Sequence, residues 1–547
     1  MRVLWLVSIT IPAAAAACGL AANEVGGGWL TGQLTALRAL PGAPELTVCS
    51  VDTRVQAPKT GAADGVRFRL LPAGDQAAFS ALLREDRFDL VHIWGTEYPA
   101  ARALHAAALA AGVPALVGIQ GVMADCAAHL CDGVPEKYRR SCFVQRGIDR
   151  IVPGALLDGL QARFDALAAG EAALLREARF VTGRTAFDKA AAARLAPRAR
   201  YFVCNETLRP AFYKGPAWRP RTFGAAPRLL MSQGNYPLKN LHTVLQALPA
   251  LRRRWPGLTL AVAGWPPLDK GPLLRPVIDW MFPYQRYCKR LIRTLGLEGC
   301  VRYTGPLNEA AMKQAYLDAD LYLLPSSSEN SPNSLGEAML LGLPCVASAA
   351  GGIPDMLADG REGALYAPPG DAAALTGAVL RVLGAPDAGA ALGAAAQARA
   401  QKTHDPAANA RALAGIYTAI LDGAEILNGE DTPLAKSRSS ASSSPATAPQ
   451  KRCRAPWQAC WRARRTPWKC CSSTTAAPTR PRLSAMRWPR RTRACARCTA
   501  PTAARRRRAT PGWTPPRASG CCSWMRTMSC CRGCGAHCQA RWPPRRA

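Results

Sequence analysis

The sequence predicts an α/β protein with two doubly wound parallel sheets facing a cleft, followed by a basic C-terminal tail without a fold of its own. Three observations carry this. To about residue 420, short apolar runs alternate with longer segments rich in alanine and leucine, the rhythm of parallel strands covered by helices on both faces. That rhythm breaks once, across Phe212–Ala226, where Pro216 and Pro220 fall and Pro227 follows. From Ser437 on the composition changes: 25 of the 70 Lys and Arg lie there and none of the 37 Asp and Glu.

The first domain is expected over residues 1–215. Its strands are Arg2–Ile11, Leu46–Val51, Leu90–Ile93, Ala115–Ile119, Phe180–Thr182 and Tyr201–Val203, each three to ten residues of apolar or β-branched character. The opening "MRVLWLVSITIPAAAAACGLAA" can also be read as a secretory or lipoprotein leader. The strand reading is preferred, because the segments behind it form a half-domain that needs a first strand. Trp29–Leu40 is the first clear helical pattern. The second domain, 216–427, takes Leu229–Ser232, Leu258–Ala263, Val301–Tyr303, Leu321–Leu324 and Pro344–Ala347 as strands, with a helix over Leu241–Arg254. No stretch of about 20 apolar residues spans a membrane.

Residues 1–436 carry 45 basic against 37 acidic side chains, so the body is only mildly basic. Its nine cysteines are scattered and read as small buried thiols of a reducing compartment. Cys126-x4-Cys131 with His129 between them lacks a fourth ligand, and no metal is expected.

In 437–547 all but ten positions are Ser, Pro, Thr, Ala, Cys, Trp, Arg or Gly. Codons for these eight types have C or G in the middle. A gene rich in C and G at wobble positions, read one nucleotide late, yields that composition. Shifted back, residues 470–479 allow V-L-L-V-D-D-G-S-T-D, 521–529 allow L-L-F-L-D-A-D-D-V, and 442–445 allow V-V-V-P. These phrases resemble the nucleotide-sugar domain of family 2 glycosyltransferases. The tail over 428–547 therefore reads as a linker and an out-of-frame remnant of a second transferase domain. Without apolar periodicity it is not expected to fold. The other readings are a basic arm that binds nucleic acid through Arg505–Arg508, and zinc held by Cys495-x2-Cys498 and Cys531-x2-Cys534.

The chemistry concentrates in "PSSSENSPNSLGEAMLLGLPCVASAAGGIPD", Pro325–Asp355. A strand runs into a polar loop carrying Glu329. A helix then starts near Asn333 and carries Glu337 one turn in. Amides at that start, around Ser334 and Leu335, can hold a diphosphate. Two carboxylates flanking an anion site can bind vicinal hydroxyls on either side of a phosphate. The alternative is a first-turn Glu favoured by the helix dipole alone.

Glu329-x7-Glu337, with Gly342-Leu343-Pro344 and Gly351-Gly352-Ile353-Pro354-Asp355, resembles the donor site of family 4 glycosyltransferases of GT-B fold, two Rossmann-like domains, over residues 1 to about 420. The resemblance implies retaining transfer of a sugar from a nucleotide diphosphate to a glycan or lipid-linked acceptor, without cofactor or essential metal. It implies that Glu329 holds the donor sugar, Glu337 the ribose, and Asn333, Ser334 and Leu335 the phosphates. The family's Arg-x4-Lys pair keeps Lys239, in "QGNYPLKN", but has Gly234 in place of the arginine. Gly27 and Gly28, in a Gly26–Gly28 triplet after the first strand, would let backbone approach a phosphate or acceptor. Gln120 stands where a histidine is common. Arg184 and Glu206 are further candidates at later strand ends, with an ion pair as the structural alternative; His92 ends a strand and points to the cleft or the core. A closing helix over about 404–421 is implied to pack back on the first domain. The resemblance implies surface polysaccharide synthesis in the cytoplasm, with peripheral contact at the inner membrane face and no nucleic-acid partner. A sugar-nucleotide epimerase on the same fold, and nucleic-acid binding through the tail, are the alternatives.

Overall fold

A computed structural model of the chain describes residues 1–22, 27–75, 77–142, 156–268, 270–271 and 273–423. The tail readings, the linker and Gly26 lie outside the described residues. The N-terminal lobe runs β1 (Arg2–Val7), α1 (Pro12–Ala17), α2 (Gly28–Arg38), β2 (Glu45–Val51), β3 (Lys59–Ala63), β4 (Val66–Leu71), α3 (Ala77–Glu85), β5 (Leu90–Trp94), α4 (Pro99–Ala110), β6 (Ala115–Gly118), α5 (Met123–His129), α6 (Glu136–Arg139), α7 (Leu157–Glu177), β7 (Phe180–Gly183), α8 (Ala186–Leu195) and β8 (Arg200–Val203). Its sheet order is β3-β4-β2-β1-β5-β6-β7-β8, parallel except for β3 against β4. The C-terminal lobe runs β9 (Arg228–Met231), α9 (Leu241–Arg254), β10 (Thr259–Val262), α10 (Arg275–Met281), α11 (Pro283–Thr294), β11 (Val301–Tyr303), α12 (Glu309–Asp318), β12 (Leu321–Leu324), α13 (Asn333–Leu341), β13 (Cys345–Ser348), α14 (Ile353–Met356), β14 (Ala364–Tyr366) and α15 (Ala372–Leu383). Its sheet, β11-β10-β9-β12-β13-β14, is wholly parallel.

Strands β1, β5, β12 and β13 are buried along nearly their whole length. That fits their continuous apolar composition, since helices cover both faces. The first strand ends at Val7, earlier than the expected Ile11. Pro12 opens α1, and Ile9 and Ile11 enter the core from the connection instead. The sequence reading also missed β3, β4 and β14. The first, "KTGAA", is an edge strand with no buried residue. The last has three residues, too short for a periodic signal.

The last two helices among the described residues cross between lobes. Helix α16 (Pro386–Thr403) runs beside α13, and α17 (Pro406–Leu421) seats Leu413, Ile416, Tyr417 and Ile420 in the core of the N-terminal sheet. Trp5 Nε1 donates to the Tyr417 hydroxyl at 2.9 Å. The N-terminal lobe reciprocates: Met123, Leu130, Tyr138 and Leu160 share one core with Leu241, Tyr284 and Tyr287. Each such aliphatic or aromatic side chain contributes about 1.5–3 kcal/mol by leaving water, so these shared cores hold the cleft at a defined width.

Candidate active site

In the C-terminal sheet the strand order reverses between β9 and β12. Ligands of doubly wound sheets sit outside the carboxyl ends at such a point. The loops leaving these two strands carry Lys239 and Glu329. Lys239 Nζ lies 2.5 Å from Glu329 Oε1, which also accepts from Ser326 Oγ at 2.7 Å. Burial disfavours the Lys239 charge, but the adjacent Glu329 carboxylate outweighs it and raises the lysine pKa above its ordinary value. Lys239 closes a short 3-10 turn, and Asn240 follows in the left-handed region at φ 58°. Asn240 Nδ2 donates to Ser327 Oγ at 2.7 Å, which clamps the two loops together.

Helix α13 starts at Asn333, as the sequence predicts. The Leu335 amide is not available to a phosphate, because it donates to the Pro332 carbonyl at 3.0 Å. The amides of Asn333 and Ser334 remain at the helix start. The Asn333 side chain reaches the other lobe, donating to Glu206 Oε2 at 3.3 Å. Glu337 is buried, and Arg209 grips it with two bonds, Nε to Oε1 at 2.5 Å and Nη2 to Oε2 at 2.6 Å. Burial raises the Glu337 pKa, and Arg209 offsets part of that rise. Both oxygens expected to face a ribose are thus engaged by an arginine, which a donor must share or displace. Nothing in the sequence gives Arg209 a role, because 128 positions separate it from Glu337.

Gly27 adopts φ 80° as the N-cap of α2. A Cβ on Gly28 would lie 2.6 Å from Arg209 Cγ. Gly28 therefore admits the close approach of the Arg209 stem. Gly351 and Gly352 serve the donor loop in the same way. Cβ atoms there would lie 1.9 Å from the Glu329 carbonyl oxygen and 2.0 Å from that of Asn330. Gly351 also holds φ 52°, where an L side chain is strained. Asp355 Oδ2 accepts from the Ala186 amide at 2.6 Å, and so the "GGIPD" segment also ties to the N-terminal lobe.

Gln120, Arg184 and Glu206 are brought together. Arg184 Nη1 lies 2.5 Å from Glu206 Oε2, and Gln120 Nε2 donates to Glu206 Oε1 at 2.5 Å. The Glu206 carbonyl accepts from His404 Nδ1 at 2.8 Å. His92 is not in the cleft. It is fully buried, hydrogen-bonded to the Tyr417 hydroxyl at 2.7 Å and stacked on Trp94. Desolvation there lowers its pKa to about 3. Two carboxyls at the N-terminal side were missed. Glu171 is buried on α7, accepting from Thr96 Oγ1 at 2.5 Å and the Met123 amide at 2.8 Å; burial, only partly opposed by those bonds, raises its pKa to about 7. Glu97 follows β5 and is raised by burial as well. The "GTEYP" turn after a strand could have flagged Glu97; a mid-helix Glu171 has no local signal. Among the described residues no three His, Cys, Asp or Glu are grouped as metal ligands, and His129 pairs with Asp132 at 2.7 Å.

Residues 227–385 match the family model described as glycosyl transferases group 1. The chain is similar to a glycogen synthase of Mycobacterium tuberculosis, 33% identical over 225 residues, 41% of this chain and 50% of that protein. It spans about half the length of the curated relatives it matches first. Among solved structures it resembles sucrose-phosphate synthase from Thermosynechococcus elongatus at TM-score 0.57 and 17% identity, covering 78% of this chain and all of that one. It also resembles Anabaena Alr3699/HepE, solved in complex with UDP-glucose, at TM-score 0.50 and 18% identity over 77% of this chain and all of that one. The fold is GT-B. The group 1 match lies over the C-terminal lobe of that fold.

Proposed function

We propose that the chain is a retaining glycosyltransferase of the family 4 type, moving a sugar from a nucleotide diphosphate donor to a glycan or lipid-linked acceptor. The observation that carries this reading is the Lys239–Glu329 pair at the sheet's switch point, beside the start of α13. Lys239 neutralises the departing diphosphate, where negative charge develops. Glu329 then turns from the lysine to the donor sugar's hydroxyls, Glu337 binds the ribose, and the Asn333 and Ser334 amides meet the phosphates. Residues 1–215 form the acceptor side and 216–427 the donor side. No metal or cofactor takes part, and the tail is an out-of-frame second transferase domain. The setting is the cytoplasm, in surface polysaccharide synthesis. The HepE complex supports a uridine nucleotide as the first donor to try.

The test supplies UDP- and GDP-sugars with simple acceptors and follows the anomeric centre by NMR. Retained configuration supports the reading. Inversion, or release of an epimerised sugar nucleotide without transfer, sinks it. Lys239→Ala should weaken donor use at least tenfold; wild-type turnover would leave it a structural partner of Glu329 only.

A further inference from the structure

Between β10 and β11 the chain makes an excursion that the transfer chemistry does not use. It contains α10 and α11. Five of the ten exposed large apolar side chains among the described residues fall within it: Trp265, Leu273, Leu274, Val277 and Leu295. Leu273 is 92% exposed, more than any other of the ten. A small local core of Ile278 and Phe282, with Leu268 and Met281 against it, props this tip from beneath. Immediately beside the tip is a groove of about 440 Å³ in which Arg275, Arg286, Lys289, Arg290 and Arg293 converge. Its acidic members are Asp279, paired with Lys289 at 2.8 Å, and Glu298.

The pattern on α11 explains the convergence. Tyr284, Tyr287 and Cys288 face the lobe core, so residues 286, 290 and 293 share the outward face. The basic surface continues onto the N-terminal lobe. Arg286 lies over the Tyr138 ring at 5.8 Å, and Tyr138 belongs to α6, which also carries exposed Lys137 and Arg139, while Arg140 after it is paired with Glu136 of the same helix at 2.5 Å. An exposed apolar tip rimmed by cations is not solvated well by water, and it does not suit an apolar protein partner. It suits an interface with fatty chains below and negative charge above.

We propose that α10 and α11 dock the protein on an anionic lipid bilayer. Leu273, Leu274 and Val277 enter the acyl boundary, and Arg286, Arg290 and Arg293 meet the headgroup phosphates. Helix α11 packs on α9, whose first residues follow Lys239, so docking sets the phosphate-site lysine one helix layer from the membrane. The proposal stands on surface chemistry and holds whether or not the transfer reaction is as proposed.

The test uses the full chain and its R290E/R293E and L273S/L274S variants. Each is sedimented with vesicles of phosphatidylcholine alone or mixed with phosphatidylglycerol, and hydrogen exchange is read by mass spectrometry. Wild type should bind only the anionic vesicles, with exchange slowed across 264–295. Both variants should bind at least about tenfold more weakly, while keeping the wild-type circular dichroism spectrum. All three chains share the tail, so the difference reports the helices. Equal binding by the variants overturns the proposal. So does protection confined to other residues, or protection of 264–295 by single-stranded RNA and not by vesicles.

Discussion

Glu329 and Glu337 hold different partners, and the difference predicts different mutants. Glu329 lies on a cleft loop against Lys239 and Ser326, so Glu329→Gln should lower transfer at least tenfold and, by leaving a largely buried lysine unpaired, lower stability as well. Glu337 is buried against Arg209 in a two-bond grip. Glu337→Gln should also lower transfer at least tenfold, and donor-matched kinetics with parallel urea melts would separate the two effects. Arg209→Met strands a buried carboxylate and should cost about 3–5 kcal/mol. Pairing it with Glu337→Leu should restore much of that stability without restoring activity. An additive double mutant would show that the grip contributes nothing. The spacing Glu-x7-Glu made both carboxylates legible in the sequence. Arg209 was not, because only the fold brings residue 209 to residue 337. His92 stayed open between cleft and core for a related reason: a histidine in a short strand looks the same whether its side chain faces solvent or Tyr417.

At the scale of elements, the strands that carry the site were readable because they are short, apolar and bounded by helical patterns. Edge strand β3 was not, since its "KTGAA" has no pattern to see. The "GGIPD" turn shows a middle case. Its glycines were read as a motif, but their cause, the pressing of 351–352 on the Glu329 and Asn330 carbonyls, is tertiary. Gly351→Ala should therefore cost about 1–3 kcal/mol through left-handed strain and a backbone clash. It should also displace Glu329, so turnover falls along with the urea midpoint. A variant of unchanged stability and rate would mean that the loop relaxes freely.

For the whole molecule, pH is the informative variable. His242 and His404 are buried and their pKa values fall to about 4, through desolvation. Below pH ~6.5 the unfolded chain protonates both while the folded one does not, so stability falls until about pH 4. Each histidine accounts for on the order of 3 kcal/mol across that window. Glu171 acts in the opposite sense: raised to about 7, it stabilises the fold at low pH, and that contribution is lost as pH rises from about 4.5 through 7. Denaturant melts between pH 4 and 8 should show the histidine fall dominating below 6, and His404→Gln should flatten it. A slope unchanged in that variant would place the acid sensitivity elsewhere. The tail gives a separate prediction. Resequencing across codons 425–547 should reveal one missing or extra base near codon 436; if the frame stands, a chain ending at 427 should keep full donor turnover.

Tyr417 covers Trp5 from 412 positions away. A ribosome that has made the first strand must therefore add nearly the whole body before the strand's cover exists. The N-terminal sheet spends most of synthesis with one face unclosed, at the mercy of holdase chaperones and of proteases. Nascent chains stalled before about residue 406 should be cut readily near α2, and chains stalled some 40 residues beyond Leu421 should resist, because only then does the last helix clear the exit tunnel and the oldest part of the protein finish folding.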